Sequence, residues 1–582
     1  MKYCKKLPVI IMAIIFIAMP FSGCTELVGE RVNPNQTQLY VANLNSGLRD
    51  MWLQALKVRF EKAYADTSFE EGETGVQIIV DNNAYSGFGY LDRLSGDPNE
   101  VYFTENVMYY DFVSKNLFAD ITDAVTENLV EFGEEQSIED KLSNDTRDFY
   151  KTDEGKYFAL PFYEAYSCIA YDIDLFEEKG FYFAKGGCPS EYSEFTQANN
   201  TDKAAGSFGG TYKYVGEFGN RSAGPDGKYG TDDDGLPATY DEFFVLTKKM
   251  QTSGVRSMIW PGKYPDYINE TANMLWADYE GKEKAAAFYK MQGDDIDILS
   301  FDGDTPIITP TDIRNENGYM FYSQAGRYYA IDFLHRLISG GTYDPDAFGE
   351  EVTHINSQER FLYGRFESSM RTIAMLADGT WWQNEATDAY NTLVDVHGDD
   401  ASKMSRRIGL LPLPKVSEKN IGEAQTYLST KQTACFVNKN VTGKKLELAK
   451  TFIRFAHTDE SLKEFMTIVN MPKPFKFDMN EEELNKLTVF GRDIYKAHSS
   501  GNVVFTASKN PIYRATPNKF MAVNGFETML PNDLPATVVG TAFKDNPAFT
   551  AREYFENMKK YSDHTESKWR ETYGQYFDYN AE

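Results

Sequence analysis

GKYFALPFYEAYSCIAYDIDLFEEKG, residues 155–180, is the stretch from which the rest of the chain can be placed. A Gly-Lys turn leads into an apolar run (Tyr157, Phe158, Ala159, Leu160) that Pro161 stops, because proline has no N–H to give a ladder and belongs at a strand's edge or end. A second strand is expected over 165–171. Between the two lie Phe162, Tyr163 and Glu164, two rings and a carboxylate at a strand break, where side chains face a cleft more often than a core. Asp172 or Asp174 is placed to cap a short helix closed by Gly180. The stretch reads as a crossing point between two lobes.

In order and spacing it resembles the hinge region of the extracellular solute-binding proteins of ABC importers, in the carbohydrate class that includes the maltodextrin-binding proteins. There a segment of the form gk-y-g-l-P … l-Y-n-k-d-l-F-e-k-G leaves the first lobe and enters the second. The resemblance implies an α/β, two-lobed, periplasmic-binding-protein-like fold with a cleft between lobes joined by multiple hinge crossings. It places a first lobe at 37–165 plus 436–508, and a second at 166–435 plus 509–582.

Length and charge are compatible with this. A chain of 582 residues is too long for one compact core. Its formal net charge of −28 repels nucleic acid and anionic bilayers, and the three basic residues Lys2, Lys5 and Lys6 belong to a leader. In that leader, residues 9–19 form an apolar segment too short to span a bilayer comfortably. Phe21-Ser22-Gly23-Cys24 follows and resembles a bacterial lipobox, although Phe21 stands where leucine is usual. The reading is a signal peptide at 1–23, a diacylglycerol on Cys24, and a polar tether at 24–36. No Cys/His spacing suits zinc; Cys168 and Cys435 fall on strands assigned to the lobe connection and read as buried thiols, with a disulfide as the alternative.

Outward from the hinge, TQLYVAN at 37–43 alternates as a strand should, and a helix over 48–65 sets Trp52, Leu56, Phe60 and Tyr64 on one face. A strand at 76–80 completes a β-α-β order, in which ligands bind beyond the carboxyl ends of the strands. That rule nominates Asn45 and Tyr85, and the same pattern at 99–125 nominates Glu105. Residues 181–238 interrupt the family pattern as a Gly/Asp-rich insertion. Its GPDGKYGTDDDG holds Asp226, Asp232, Asp233 and Asp234, and Asp226, Asp232 and Asp234 are candidate calcium ligands, against the plainer reading of a solvated acidic turn. Thr239 and Glu242 form a capping box, and a strand at 257–260 ends in Trp260.

Residues 368–375 read as a strand, and Asp378-Gly379-Thr380-Trp381-Trp382 opens a helix. The resemblance here is to a-M-x-x-d-G-s-W, whose tryptophan packs on a pyranose. The C–H bonds of a sugar's flatter face dock on an indole, while carboxylates and amides take the hydroxyls. One of the two indoles should face the cleft, Trp381 by position, with Trp382 beside it; Trp276, among Met274, Leu275 and Ala277, reads as core. Strand 408–414 and the return crossing at 426–438 match the family, and a third crossing is expected at 508–522. The implied protein is a lipid-anchored, monomeric binder on the outer face of the bacterial cell membrane, which delivers a carbohydrate, an oligosaccharide by preference, to an ABC permease. It needs no cofactor and performs no catalysis. Its expected contacts are Asn45, Tyr85, Glu105, Tyr163, Glu164, Trp260, Trp381 and Trp382. A non-sugar solute, or an exported glycan-processing enzyme with paired carboxylates, are the competing readings.

Overall fold

The computed structural model describes residues 31–83, 93–183, 235–264 and 266–578. Two sheets organise it. In the first, β1 (Thr37–Asn43) pairs in parallel with β2 (Val76–Asp81) and β3 (Val101–Glu105). The short β4 (Ala159–Leu160) lies at the far edge of this sheet. The second sheet begins with β5 (Ser167–Asp172), and β6 (Arg256–Ile259) forms its edge. Beyond it β7 (Gly293–Asp302) and β8 (Thr305–Ile313) form a separate hairpin. Next come β9 (Ile373–Gly379), β10 (Ile408–Leu410) and the short β11 (Tyr427–Leu428). The chain then returns to the first sheet as β12 (Thr433–Val437), antiparallel between β3 and β4, and β13 (Val503–Val504) later pairs with β11. The strand orders are β2-β1-β3-β12-β4 and β10-β5-β9-β6.

Helices cover both sheets because each carries an apolar stripe. In the first lobe α1 (Met51–Ala63) buries Trp52, Leu53, Leu56 and Phe60. In the second, α2 (Tyr240–Thr252) starts at Thr239, whose side chain accepts from the Glu242 N–H as the sequence anticipates. Helix α3 (Asp266–Lys290) bends at Gly281, where φ of 75° breaks the helical run. Helices α4 (Ala325–Gly340) and α5 (His354–Tyr363) complete this layer. Back in the first lobe, α6 (Gly443–Ala456) and α7 (Asp459–Val469) pack on α1 through edge-to-face pairs: Phe60 with Phe452 at 5.1 Å, and Trp52 with Phe465 at 5.2 Å. Such pairs are worth about 0.5–1.5 kcal/mol each beyond their buried area. Trp276 is fully buried in the second lobe, under the guanidinium of Arg327 at 4.6 Å.

Three chain crossings lie side by side. Residues 161–166 and 429–432 are joined by the Thr430 N–H to the Ala165 carbonyl at 3.0 Å, and the Glu164 N–H reaches the Pro472 carbonyl at 2.9 Å. The third crossing therefore runs just after Pro472, and not at 508–522. Residues 489–499 do not belong to the first lobe either, since α8 (Val489–Ser499) buries Phe490 and Ile494 and receives the Leu410 N–H on Asp493 at 2.9 Å, whereas Phe505 packs on Phe149 and Tyr150 of the first lobe. Ser508 and Asn510 bond the end of α3 at Tyr289 and Lys290. The physical reason is the apolar face of α8, which finds its cover on β10 and Trp382. Cys168 and Cys435 sit on different sheets as buried free thiols. Cys24, Tyr85 and Asp226, Asp232 and Asp234 lie outside the described residues.

Candidate functional site

The carboxyl ends of β1, β3 and β9 converge where the lobes meet. After β1 the chain turns through Ser46 and Gly47, whose φ of 55° suits glycine. A Cβ at Gly47 would stand 3.5 Å from Cβ of Trp381, so this loop of the first lobe touches the second. Strand β3 ends at Glu105, paired in register with Thr433 of β12, and Lys431 precedes that pair by two residues. Across the gap β9 ends at Gly379, in register with Ser167 of β5, and delivers Trp381.

A cavity of about 370 Å³ lies between these ends. The first lobe and the crossings contribute Glu105, Tyr163 and Lys431; the second lobe contributes Tyr264, Tyr267, Glu270 and Trp381. Asp266, His354 and Glu385 complete its charged wall. A second space of about 360 Å³ adjoins it, sharing Ser46, Gly47, His354 and Glu385 and adding Asn45, Arg49 and Asp50.

The carboxylates are held in place. The Tyr163 hydroxyl donates to Glu105. Ser167 donates to Glu270 at 2.7 Å, and burial raises the Glu270 carboxyl against the opposing pull of Lys431. The Gln358 amide donates to both Asp378 (3.0 Å) and Glu385 (2.8 Å). Desolvation lifts both of these acids, and for Asp378 the nearby Glu385 adds to it. Partial desolvation at the mouth of the cleft also raises Asp266, which solvent still reaches. The Lys431 ammonium lies over the Trp381 ring, 4.6 Å from its centroid.

Of the expected contacts, Glu105, Tyr163 and Trp381 stand on the main cavity and Asn45 on the adjoining one. Trp381 is only 6% exposed, with one ring face covered by Lys431. Three expected contacts are elsewhere. Trp260 is 1% exposed and packs on Tyr343 and Phe348, each at 5.1 Å, because β6 is an edge strand whose end is covered by that segment. Trp382, fully buried, packs on Phe361 and Phe490, each at 5.7 Å; adjacent residues at a helix start point in different directions, so only one indole can face the cleft. Glu164 turns to Tyr166 and to His498 at 2.9 Å, and so belongs to the crossing itself.

Sequence reading missed Tyr264, Asp266, Tyr267, Glu270, His354, Glu385 and Lys431. YPDYINE at 264–270 carried a usable signal, since aromatic and acidic residues open a helix just beyond a strand. Lys431 carried none.

The lobes are in contact around the cavity. Arg49 donates to the Asn384 carbonyl (3.3 Å) and pairs with Asp388 (3.2 Å), and the Asn384 amide reaches the Val469 carbonyl (2.7 Å).

No family model matches the chain, and no curated protein matches it. Solved structures do. The chain is similar to the SBP RafE in complex with raffinose, at 12% identity over 90% of this chain and 99% of that one, with a TM-score of 0.50. It is equally similar to the apo form of RafE from Streptococcus pneumoniae, at 12% identity over 91% and 99% of the two chains, with a TM-score of 0.50. A protein described with xylan utilization by the thermophilic bacterium Caldanaerobius polysaccharolyticus gives 13% identity, coverage of 90% and 99%, and the same TM-score. The chain shares the two-lobed α/β fold of these proteins.

Proposed function

We propose that this chain is the capturing subunit of an ABC importer for carbohydrates. It takes a sugar between its lobes, carries out no chemistry on it, and delivers it to a membrane permease while anchored through Cys24. The observation that carries the reading is the open cavity of about 370 Å³ between the lobes at their crossings, walled by Tyr163, Tyr264, Tyr267 and Trp381 with hydrogen-bonded carboxylates among them. Apolar ring faces beside a few oriented polar groups are what a pyranose requires. Because the ligand would touch Glu105 of one lobe and Glu270 of the other, binding would favour the closed arrangement to the extent of its differential affinity. That similar folds include RafE, whose structure holds raffinose, supports the same reading.

The test is a thermal-shift screen of the full-length chain against mono- and oligosaccharides, with product analysis after prolonged incubation. A ligand of the folded state raises the apparent Tm by mass action. We expect a rise with one glycan class, abolished in Trp381→Ala, and recovery of the glycan intact. A cleaved glycan would overturn the non-catalytic reading. No rise with any sugar would overturn the carbohydrate one. For the anchor, Cys24→Ser should release the protein from the membrane fraction.

A further inference from the structure

The charge lining the cavity is one-sided. Glu105, Asp266, Glu270 and Glu385 face one lysine, Lys431, and one histidine, His354, with no arginine on that wall. Lys431 makes no ion pair among the described residues; its ammonium rests instead on the Trp381 ring. A ring face with acids nearby is a setting that stabilises a nitrogen cation, so the cleft already seats one such cation of its own. Arg49, in the adjoining space, is engaged by Asp388. Asp266 is different: it is exposed at the start of α3, and its carboxylate has no hydrogen-bond or ion-pair partner among the described residues. A divalent metal is not the complement, since no three acidic, histidine or cysteine side chains among the described residues are grouped to hold one.

A neutral sugar could donate hydroxyls to these acids, but it would leave their excess charge uncompensated in a partly desolvated cleft. A ligand ammonium would donate and compensate together.

We propose that the ligand of this cleft carries a protonated amine, as an amino sugar does, with its nitrogen held by Asp266 and neighbouring carboxylates and its ring against Tyr264 and Tyr267. The inference rests on the carbohydrate reading for the sugar, and on the cleft's charge for the amine. The two can fail separately.

Calorimetric titration of the full-length chain in detergent, near pH 6, would compare a β-1,4-linked glucosamine trimer, its fully N-acetylated form, maltotriose and spermidine. The free amine should bind at least tenfold tighter than its acetylated form. Asp266→Asn, at an exposed site where folding should be unaffected, should bring that ratio close to one. Lys431→Met, which removes the competing ammonium, should tighten the amine. Equal or tighter binding of the acetylated trimer would overturn the amine assignment and leave a neutral-sugar binder. Binding of spermidine alone would keep the amine and overturn the sugar. No binding by either amine at millimolar concentration overturns the proposal.

Discussion

A Cβ on Gly379 would overlap the six-membered ring of Trp381. The indole can lie down at the cleft only because the last residue of β9 has no side chain. Gly379→Ala should therefore lift the ring from its seat, at a cost of about 1–3 kcal/mol typical of overpacking. We expect a lower apparent Tm, an altered tryptophan emission, and loss of the ligand-induced Tm rise. An unchanged rise would mean that the ring's position is irrelevant to binding.

Arg49 ties the two lobes across the mouth, to the Asn384 carbonyl and Asp388. The pair is exposed, so its worth is about 0.2–1 kcal/mol. Arg49→Ala should favour the open arrangement and weaken ligand binding about two- to fivefold. X-ray scattering should show a larger radius of gyration without ligand, restored at saturation.

Glu280 and Lys473 give opposite pH signatures. Glu280 is buried; one carboxylate oxygen accepts from the Gly326 N–H at 2.8 Å, the other has no partner, and burial pushes the carboxyl up to about 7. A raised acid contributes stability below its unfolded pKa and loses it as pH rises through 7. Glu280→Gln should thus be more stable than the parent above pH 7, by up to about 3 kcal/mol, with the gain vanishing near pH 4.5. Urea melts at the two ends of that window check it.

Lys473 lies among the rings of Trp52, Phe103 and Phe465, with the Ala456 carbonyl at 3.1 Å, and desolvation pushes it down to about 8. A lowered base contributes stability above its unfolded pKa and loses it as pH falls through 8. Lys473→Met should therefore stabilise the protein at pH 7, with the advantage fading toward pH 10. A gain that grew with pH would contradict the assignment.

The hairpin of β7 and β8 guards its own edge. Gly303, at φ of 56°, closes a two-residue turn between Asp302 and Thr305, as a type II′ turn requires. The closing pair is hydrogen-bonded, and pairs alternate from there. Pro306 and Pro310, opposite Phe301 and Asp297, thus fall where the backbone nitrogen points outward. Ile307 and Ile308 are exposed beside them. Replacing both prolines by threonine restores two outward N–H groups, and should produce concentration-dependent association in sedimentation velocity.

Residues 155–180 were legible because their signals are local: Pro161 ends a strand, and Asp172 accepts the Leu175 N–H at 2.9 Å at the head of the helix before Gly180. Trp381 was nominated through the resemblance to a-M-x-x-d-G-s-W, and it does stand on the cavity wall. Trp260 was not, since whether an indole at a strand's end meets cleft or core depends on that strand's place in the sheet. The third crossing was misplaced because the apolar stripe of α8 says that it packs, not on which lobe. The β7–β8 hairpin went unread although Asp302-Gly303 stands between two apolar runs, a recognised turn signal. Lys431 needed the tertiary structure, for only the fold brings it over a ring 50 residues distant in sequence.

The interleaved sheet also sets an order of events. Strand β12 must enter between β3 and β4, more than 270 residues after β4 has been made. A chain emerging amino terminus first presents both of those edges unpaired until residue 437 has followed. Its first lobe cannot close early, whatever the stability of the finished fold, so during synthesis this protein has to be kept from finding foreign strands.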